Sequence, residues 1–152
     1  MKKLFFLFII LLLALSFSSC KKETSAEEML REFIYSYGVE GVVYTPTARL
    51  GEQGYVYDGL TEKIFVYSGE FPQNYAVLLN FRSSYGGECG VFVCDDSEEW
   101  QAVSEMCEER VALLSRGEGG MVLRSRGVIF YSTLDDSKRV EEIWHKILRA
   151  HT

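Results

Sequence analysis

The sequence is poor in several residue types on which whole classes of protein depend. Its 152 residues include only two prolines, two histidines and four cysteines. Four cysteines are too few for a small scaffold held together by disulfides. The sequence has neither a Gly-x-Ser-x-Gly nucleophile turn nor a glycine-rich phosphate-binding loop. Basic residues are outnumbered, 16 against 22, and the net charge of −6 argues against a nucleic-acid-binding protein.

Apolar residues, in contrast, are abundant. They make up 47% of the chain, which is enough to form a hydrophobic core and excludes a disordered or low-complexity protein. The length fits one domain of ordinary size. We therefore expect a single folded domain over residues 25–152.

The N-terminal residues have the three-part pattern of a secretory signal. Lys2 and Lys3 form a basic start, residues 4–15 are an uncharged apolar run, and small residues precede Cys20. The run is shorter than the ~20 residues with which a helix spans a bilayer. A cleaved signal is therefore expected rather than a permanent membrane span.

The residues around the cysteine resemble the lipobox of bacterial lipoproteins. The matching stretch is Phe17-Ser18-Ser19-Cys20. The resemblance implies that residues 1–19 are a lipoprotein signal peptide, that Cys20 is lipidated, and that residues 20–24 are a short tether. Two acyl chains bury enough hydrocarbon for stable anchoring. The expected location is the outer face of the cell membrane, with membrane lipid as partner through Cys20.

Hydrophobic periodicity and turn residues predict three helices and several strands. Ser25, with Glu28 three residues later, is a capping box and predicts a helix over 26–37. Asp95 predicts a second helix that ends at Gly117, and Asp135 or Asp136 a third. The predicted strands are 41–44, 54–57, 63–67, 74–82, 88–94, 121–124 and 128–133, with 74–82 and 88–94 forming a hairpin.

This order of elements predicts an α+β fold. Amphipathic helices with one apolar face each need a sheet face to cover. We expect a two-layer sandwich with a mostly antiparallel sheet and helices packed on one face. The other face of the sheet would remain open to a partner.

Three cysteines lie within the predicted domain. Cys89 and Cys94 are five residues apart on a strand, so they point to opposite faces and cannot pair. Cys107, on the following helix, is expected at the same depth as Cys89. Cys89 and Cys107 are therefore a candidate disulfide outside the cytoplasm. The alternative is that both are buried free thiols.

Tyrosines are dense in the first half of the domain, and Tyr55, Tyr57 and Tyr67 form a candidate binding surface. Tyrosine offers a flat apolar ring with a polar tip, which suits the recognition of glycans or proteins. The alternative is that strand tyrosines simply cover the sheet.

The second half of the chain resembles a group of small uncharacterised lipoproteins of Gram-positive anaerobes, defined by a domain of unknown function. The resemblance covers roughly 64–148. It depends on Glu88-Cys89-Gly90-Val91-Phe92-Val93, on Asp95-Asp96-Ser97, on a helix ending with residues 108–114, and on a glycine-centred strand pair. It implies a membrane-tethered extracytoplasmic domain with no assigned activity or catalytic residue.

No arrangement of residues predicts a catalytic site, a cofactor or a metal centre. We expect a membrane-tethered extracytoplasmic lipoprotein that acts as a binding or assembly module, with an envelope protein or a cell-wall glycan as partner and no nucleic acid. Two alternatives remain open. One is a thiol-redox accessory enzyme that uses Cys89, Cys94 or Cys107, and the other is a tyrosine-lined glycan-binding module.

Overall fold

The computed structural model describes residues 24–57, 60–67, 71–79, 87–115 and 119–151. The predicted signal peptide and Cys20 lie outside these residues. The elements are α1 (Ala26–Tyr37), β1 (Val42–Tyr44), α2 (Leu60–Ile64), β2 (Tyr75–Leu79), β3 (Cys89–Val93), α3 (Ser97–Ser115), β4 (Met121–Ser125), β5 (Val128–Ser132) and α4 (Ser137–His151).

The helix ends are set by local signals. Ser25 caps α1, since its Oγ accepts a hydrogen bond from the backbone N–H of Glu28. Gly38 ends the helix in the left-handed conformation with φ of 78°. Asp96, rather than the expected Asp95, caps α3, and Asp136 caps α4, each through Oδ1.

The five strands form one antiparallel sheet in the order β1-β2-β3-β5-β4. β2 and β3 pair as the predicted hairpin, with Tyr75 opposite Phe92, and β5 lies on the other side of β3, with Ile129 opposite Phe92. β1 and β4 are the edge strands. The α+β class and the antiparallel sheet are confirmed.

The helices divide between the two faces of the sheet, whereas we expected all of them on one face. α1 and α4 pack on one face, here called the two-helix face, where Leu78, Val91 and Phe130 point. α3 packs on the other, here called the one-helix face, where Val77 and Phe92 point. β2 and β5 are buried along their whole length, so both faces need a cover.

The segment before β2 also differs from the prediction. Residues 63–67, expected as a strand, begin in the short helix α2. Its last carbonyl, of Ile64, accepts a hydrogen bond of 2.8 Å from Nη1 of Arg110 on α3. Phe65 is 2% exposed and packs on the one-helix face. Tertiary contacts therefore determine the conformation here, and they override the local strand preference.

The predicted strand over 54–57 is reduced to one parallel bridge between Thr45 and Tyr55. Gly54 lies against β1 with φ of +87°, and a Cβ on it would lie 1.9 Å from the carbonyl oxygen of Val43. Only glycine permits this close approach. The result is a segment that covers part of the exposed edge of β1.

Candidate functional site

A cleft runs along the end of the sheet at which β2 begins and β3 ends. It consists of two adjoining depressions of about 390 and 340 Å³, which share Thr45, Pro46, Gln73 and Tyr75 in their walls. Cavities of this size are typical of sites for small ligands or a few side chains. We call the two parts the acidic end and the aromatic end.

The acidic end is lined by the carboxylates of Glu27, Asp95 and Glu99. Glu27 and Glu99 lie in the first turns of α1 and α3, where the helix dipole favours negative charge, and Asp95 immediately precedes the cap of α3. Glu27 accepts hydrogen bonds from Nε of Arg31 at 2.8 Å and from Oγ1 of Thr47 at 3.1 Å. Glu99 accepts one of 2.7 Å from the backbone N–H of Asp95. These contacts fix two of the three carboxylates in the wall.

Asn74 joins the start of the described chain to the sheet, directly beside the acidic end. Its Oδ1 accepts a hydrogen bond of 3.0 Å from the backbone N–H of Ala26, and its Nδ2 donates one of 2.9 Å to the carbonyl of Thr24. Asn74 immediately precedes β2. Residue 24 is therefore held against the cleft wall rather than projecting away from it.

The aromatic end is formed by rings that rest on the one-helix face. Phe71 lies 5.1 Å from Tyr75 and 5.6 Å from Tyr67 between ring centroids, in edge-to-face geometry. Tyr55 and Tyr57 line the depression, and Tyr57 is 52% exposed. Of the three tyrosines predicted as a binding surface, the structure therefore brings two into the cleft.

Tyr67, the third, is not part of the cleft wall. Its ring is half-buried and packs on Phe71, so it supports the wall from behind. Burial, followed by the charge of Glu99, raises the pKa of its hydroxyl. Tyr67 lies outside the cleft wall because residues 60–64 form a short helix. The sequence predicted a strand over 63–67 instead.

A buried polar cluster lies under α3. The guanidinium of Arg110 donates hydrogen bonds of 2.6 and 2.8 Å to the carboxylate of Glu88, which also accepts one of 3.0 Å from the hydroxyl of Tyr131. A Cβ on Gly90 would lie 2.5 Å from the ring of Tyr131, so glycine leaves space for that ring. Burial, then the charge of Glu88, raises the pKa of Tyr131 well above its ordinary value. This cluster joins α2 to α3, because Arg110 also donates a hydrogen bond to the carbonyl of Ile64. Each of its buried polar side-chain atoms has a hydrogen-bond partner, so none is free for catalysis.

The candidate disulfide is wrong in this structure. Cys89, Cys94 and Cys107 are all free. Cys89 belongs to the core of the two-helix face and Cys107 to the core of the one-helix face, so the sheet separates them. The expectation failed because α3 covers the opposite face of β3 from the one to which Cys89 points.

The three thiols are in surroundings that keep them protonated. Burial raises the pKa of Cys89 and Cys107 far above its ordinary value. Burial, followed by the carboxylates of Glu99 and Asp95, raises the pKa of Cys94 to about 12. A reactive thiol needs the opposite environment, which is an exposed and electropositive one. Within the described residues no group of three or more His, Cys, Asp and Glu side chains is placed to hold a metal ion.

Several residues of the site were not found by sequence reasoning. Glu27 and Thr47 are 20 residues apart, and Glu88 and Arg110 are 22 apart, so no local pattern joins either pair. Asn74 lies 48 residues from its partner Ala26. The sequence contains only a weak signal for these three contacts, which is that polar residues adjoin buried strands and helix starts.

Comparisons with known proteins add no relative. No protein-family model matches the chain, and neither the curated proteins nor the solved structures contain a significant match. Among the described residues no helix is both long and apolar enough to cross a bilayer.

Proposed function

We propose that this chain is a lipoprotein held at the outer face of the cell membrane by acylated Cys20, and that its cleft binds another molecule of the envelope. The observation that carries the proposal is the position of the cleft. Thr24 lines its acidic end and is only four residues after Cys20. Four residues span at most ~14 Å when extended. An acyl anchor on Cys20 would therefore keep the cleft close to the lipid headgroups.

The contacts of Asn74 support a binding role near the membrane. They fix Thr24 to the start of β2, so the tether leaves the domain at a defined point. An anchored cleft meets its partner at a high effective concentration, because both are confined to the same surface. A binding or assembly module benefits from this arrangement.

A glycan-binding module is the second candidate, and the aromatic end favours it. Tyr55 and Tyr57 lie together in the cleft wall, and the exposed ring of Tyr57 offers a flat apolar surface. The thiol-redox alternative has no such support, since Cys89 and Cys107 are fully buried and Cys94 is half-buried among carboxylates.

Mass spectrometry of the membrane-purified protein tests the anchor. We expect an N-terminal peptide that starts at Cys20 and carries acyl chains. A Cys20→Ser variant should lose the lipid and leave the membrane fraction. An unmodified Cys20, or a chain that keeps residues 1–19, would contradict the anchoring.

Site-specific photo-cross-linking in whole cells tests the binding role. The photoactivatable residue is placed at Gln73, which is exposed and lines both parts of the cleft. Lys138, exposed on α4 at the other end of the sheet, is the control position. We expect a discrete adduct from position 73 and none from 138. Equal adducts from both positions would contradict a role for the cleft.

A further inference from the structure

We propose that the cleft takes a basic peptide segment, with a lysine or arginine at the acidic end and an aromatic or large apolar side chain at the aromatic end. This inference rests on the proposed binding function and names its ligand class. The partner would be a protein that presents such a segment close to the membrane surface.

The charge of the acidic end selects for a cationic ligand. Three of its lining residues are acidic, and none of its lining residues in the described ranges is basic. Glu27 is paired with Arg31, one turn further along α1, whereas Glu99 is held by the backbone N–H of Asp95, a contact that leaves its charge in place. The side chain of Asp95 is exposed. Opposite charges attract over several ångströms in such a half-buried site. An anionic ligand would be repelled there.

The arrangement of the carboxylates favours an extended chain over a metal ion. Glu27 and Glu99 are contributed by different helices, and no group of three acidic side chains in the described residues converges on one point. Calcium requires six to eight converging oxygens. Separated carboxylates suit a ligand that carries its charges on side chains spaced along a backbone.

The aromatic end supplies the apolar half of the site. Its wall contains Tyr55, Tyr57 and Phe71. Nζ of Lys63 lies 6.0 Å from the ring centroid of Tyr57, so one side of this ring already faces a cation of the chain. Exposed tyrosine rings beside a polar rim are typical anchor points in protein interfaces.

Polar groups connect the two ends. Thr45 and Gln73 are shared by both depressions, and Oγ1 of Thr45 lies 3.0 Å from Oγ1 of Thr47. The exposed amide of Gln73 suits a hydrogen bond to the backbone of an extended peptide, whereas Thr45 is 4% exposed and supports the wall. A neutral glycan would use the same polar groups and rings but would gain nothing from the acidic end.

Binding of defined peptides to the full chain in zwitterionic nanodiscs tests the inference. The probe is a fluorescein-labelled hexapeptide with two adjacent lysines and a phenylalanine, and fluorescence anisotropy gives its affinity. The double variant Asp95→Asn/Glu99→Gln should bind about three- to tenfold more weakly, since each exposed charge pair contributes modestly. Glu109→Gln, which removes an exposed charge further along α3, should change the affinity less than twofold.

A second pair of variants tests the aromatic end. Tyr57→Ala should weaken binding about fivefold or more, because it removes an anchoring ring. Tyr35→Ala, which removes a ring that is 89% exposed on α1 and outside the cleft, should have no effect. Raising the salt concentration from 50 to 300 mM should weaken binding to the unaltered protein, and this measurement needs no variant.

Three outcomes would overturn the inference. The first is peptide binding that is equal in all variants and insensitive to salt. The second is no peptide binding at all by a chain whose lipid and whose cross-linked adduct are both present, which would leave the proposed function standing. The third is binding of a neutral N-acetylglucosamine oligomer that depends on Tyr57 and not on Asp95 or Glu99, which would identify a glycan site.

Discussion

The two faces of the sheet are covered in different ways. On the two-helix face, α1 and α4 supply matched apolar surfaces, and Trp144 stacks on Phe130 with centroids 4.3 Å apart. On the one-helix face, α3 packs on the sheet together with the short helix α2 and the rings of Phe65 and Phe71. The two-helix face has an apolar core, while the one-helix face contains an ion pair and borders the aromatic end of the cleft.

In this domain the recess forms where irregular segments, rather than helices, cover the sheet. Two helices cover the two-helix face, and α1 reaches the cleft at its start, through Ser25 and Glu27. One helix leaves part of the other face to irregular segments, whose rings and threonines then form the cleft wall. Loops placed by a rigid scaffold commonly carry function for this reason.

The two tryptophans lie on different faces and give the most direct comparison. Trp144→Ala should lower the free energy of unfolding by about 4 kcal/mol, because the side chain is 2% exposed on the two-helix face. Trp100→Ala, partly buried on the one-helix face, should cost about half as much. Urea unfolding followed by circular dichroism measures both. Equal losses would show that the two faces are packed alike.

Removing one partner of the buried ion pair tests the polar side of the contrast. Arg110→Met should cost about 3 kcal/mol, because it leaves the carboxylate of Glu88 buried and unpaired. The triple variant Glu88→Met/Arg110→Met/Tyr131→Phe should recover most of this loss. Arg149→Met, at an exposed position on α4, is the matched control and should cost less than about 1 kcal/mol. A loss below about 1 kcal/mol for Arg110→Met would show that water reaches the cluster.

The buried thiols, one on each face of the sheet, should lower the free energy of unfolding by equal amounts as the pH rises above 9. The pKa of Cys89 and of Cys107 is raised in the folded state above the ordinary value of 9.0. Their contribution is therefore complete below pH 9 and is lost as the pH rises further, since only the unfolded chain releases these protons. Each thiol should add about 1.4 kcal/mol per pH unit to the slope.

Urea unfolding between pH 8.5 and 10.5 measures this slope. Cys89→Ala and Cys107→Ala should each reduce it by the same amount, although their losses at pH 7 differ through packing. An unchanged slope in either variant would mean that solvent reaches that thiol in the folded state.

The smallest effect is expected at the junction between the start of the domain and the sheet. Asn74→Ala removes two hydrogen bonds, to Thr24 and Ala26, and should cost about 1 to 2 kcal/mol. Gln73→Ala, its exposed neighbour with one bond to the carbonyl of Phe71, should cost less than about 0.5 kcal/mol. Hydrogen exchange should show faster exchange in the first turn of α1 for the Asn74 variant only. Identical exchange rates in the Asn74 and Gln73 variants would show that Asn74 does not hold the start of α1 to the sheet.

Local signals predicted the parts of the fold that local interactions determine. α1 follows its cap Ser25 and spans 26–37 as expected, and Asp136, one of the two expected caps, begins α4. The hairpin of β2 and β3 followed from the alternation of residues 74–82. These elements depend on capping and periodicity, which are visible in any short window of sequence.

The distribution of helices between faces was not visible in the sequence. Central strands that are buried on both sides carry no bias that tells which helix covers which face. For this reason the predicted pairing of Cys89 with Cys107 on α3 was wrong. The sheet face that we expected to be open is covered by a second core. The cleft was missed for the same reason, because Glu27, Thr45 and Asp95 meet only through the topology.

The two hydrogen bonds of Asn74 also have a mechanical consequence. When the chain is pulled from its N-terminal side, the hydrogen bond between Thr24 and Asn74 should transmit part of the force to the start of β2, in parallel with the backbone of α1. β2 is hydrogen-bonded to β1 and β3 on either side, so the load is shared by three strands. α1 would otherwise be unwound turn by turn from its first residue. We therefore expect this asparagine to pass part of a pull on the N-terminal side to the sheet before the first turn of α1 frays.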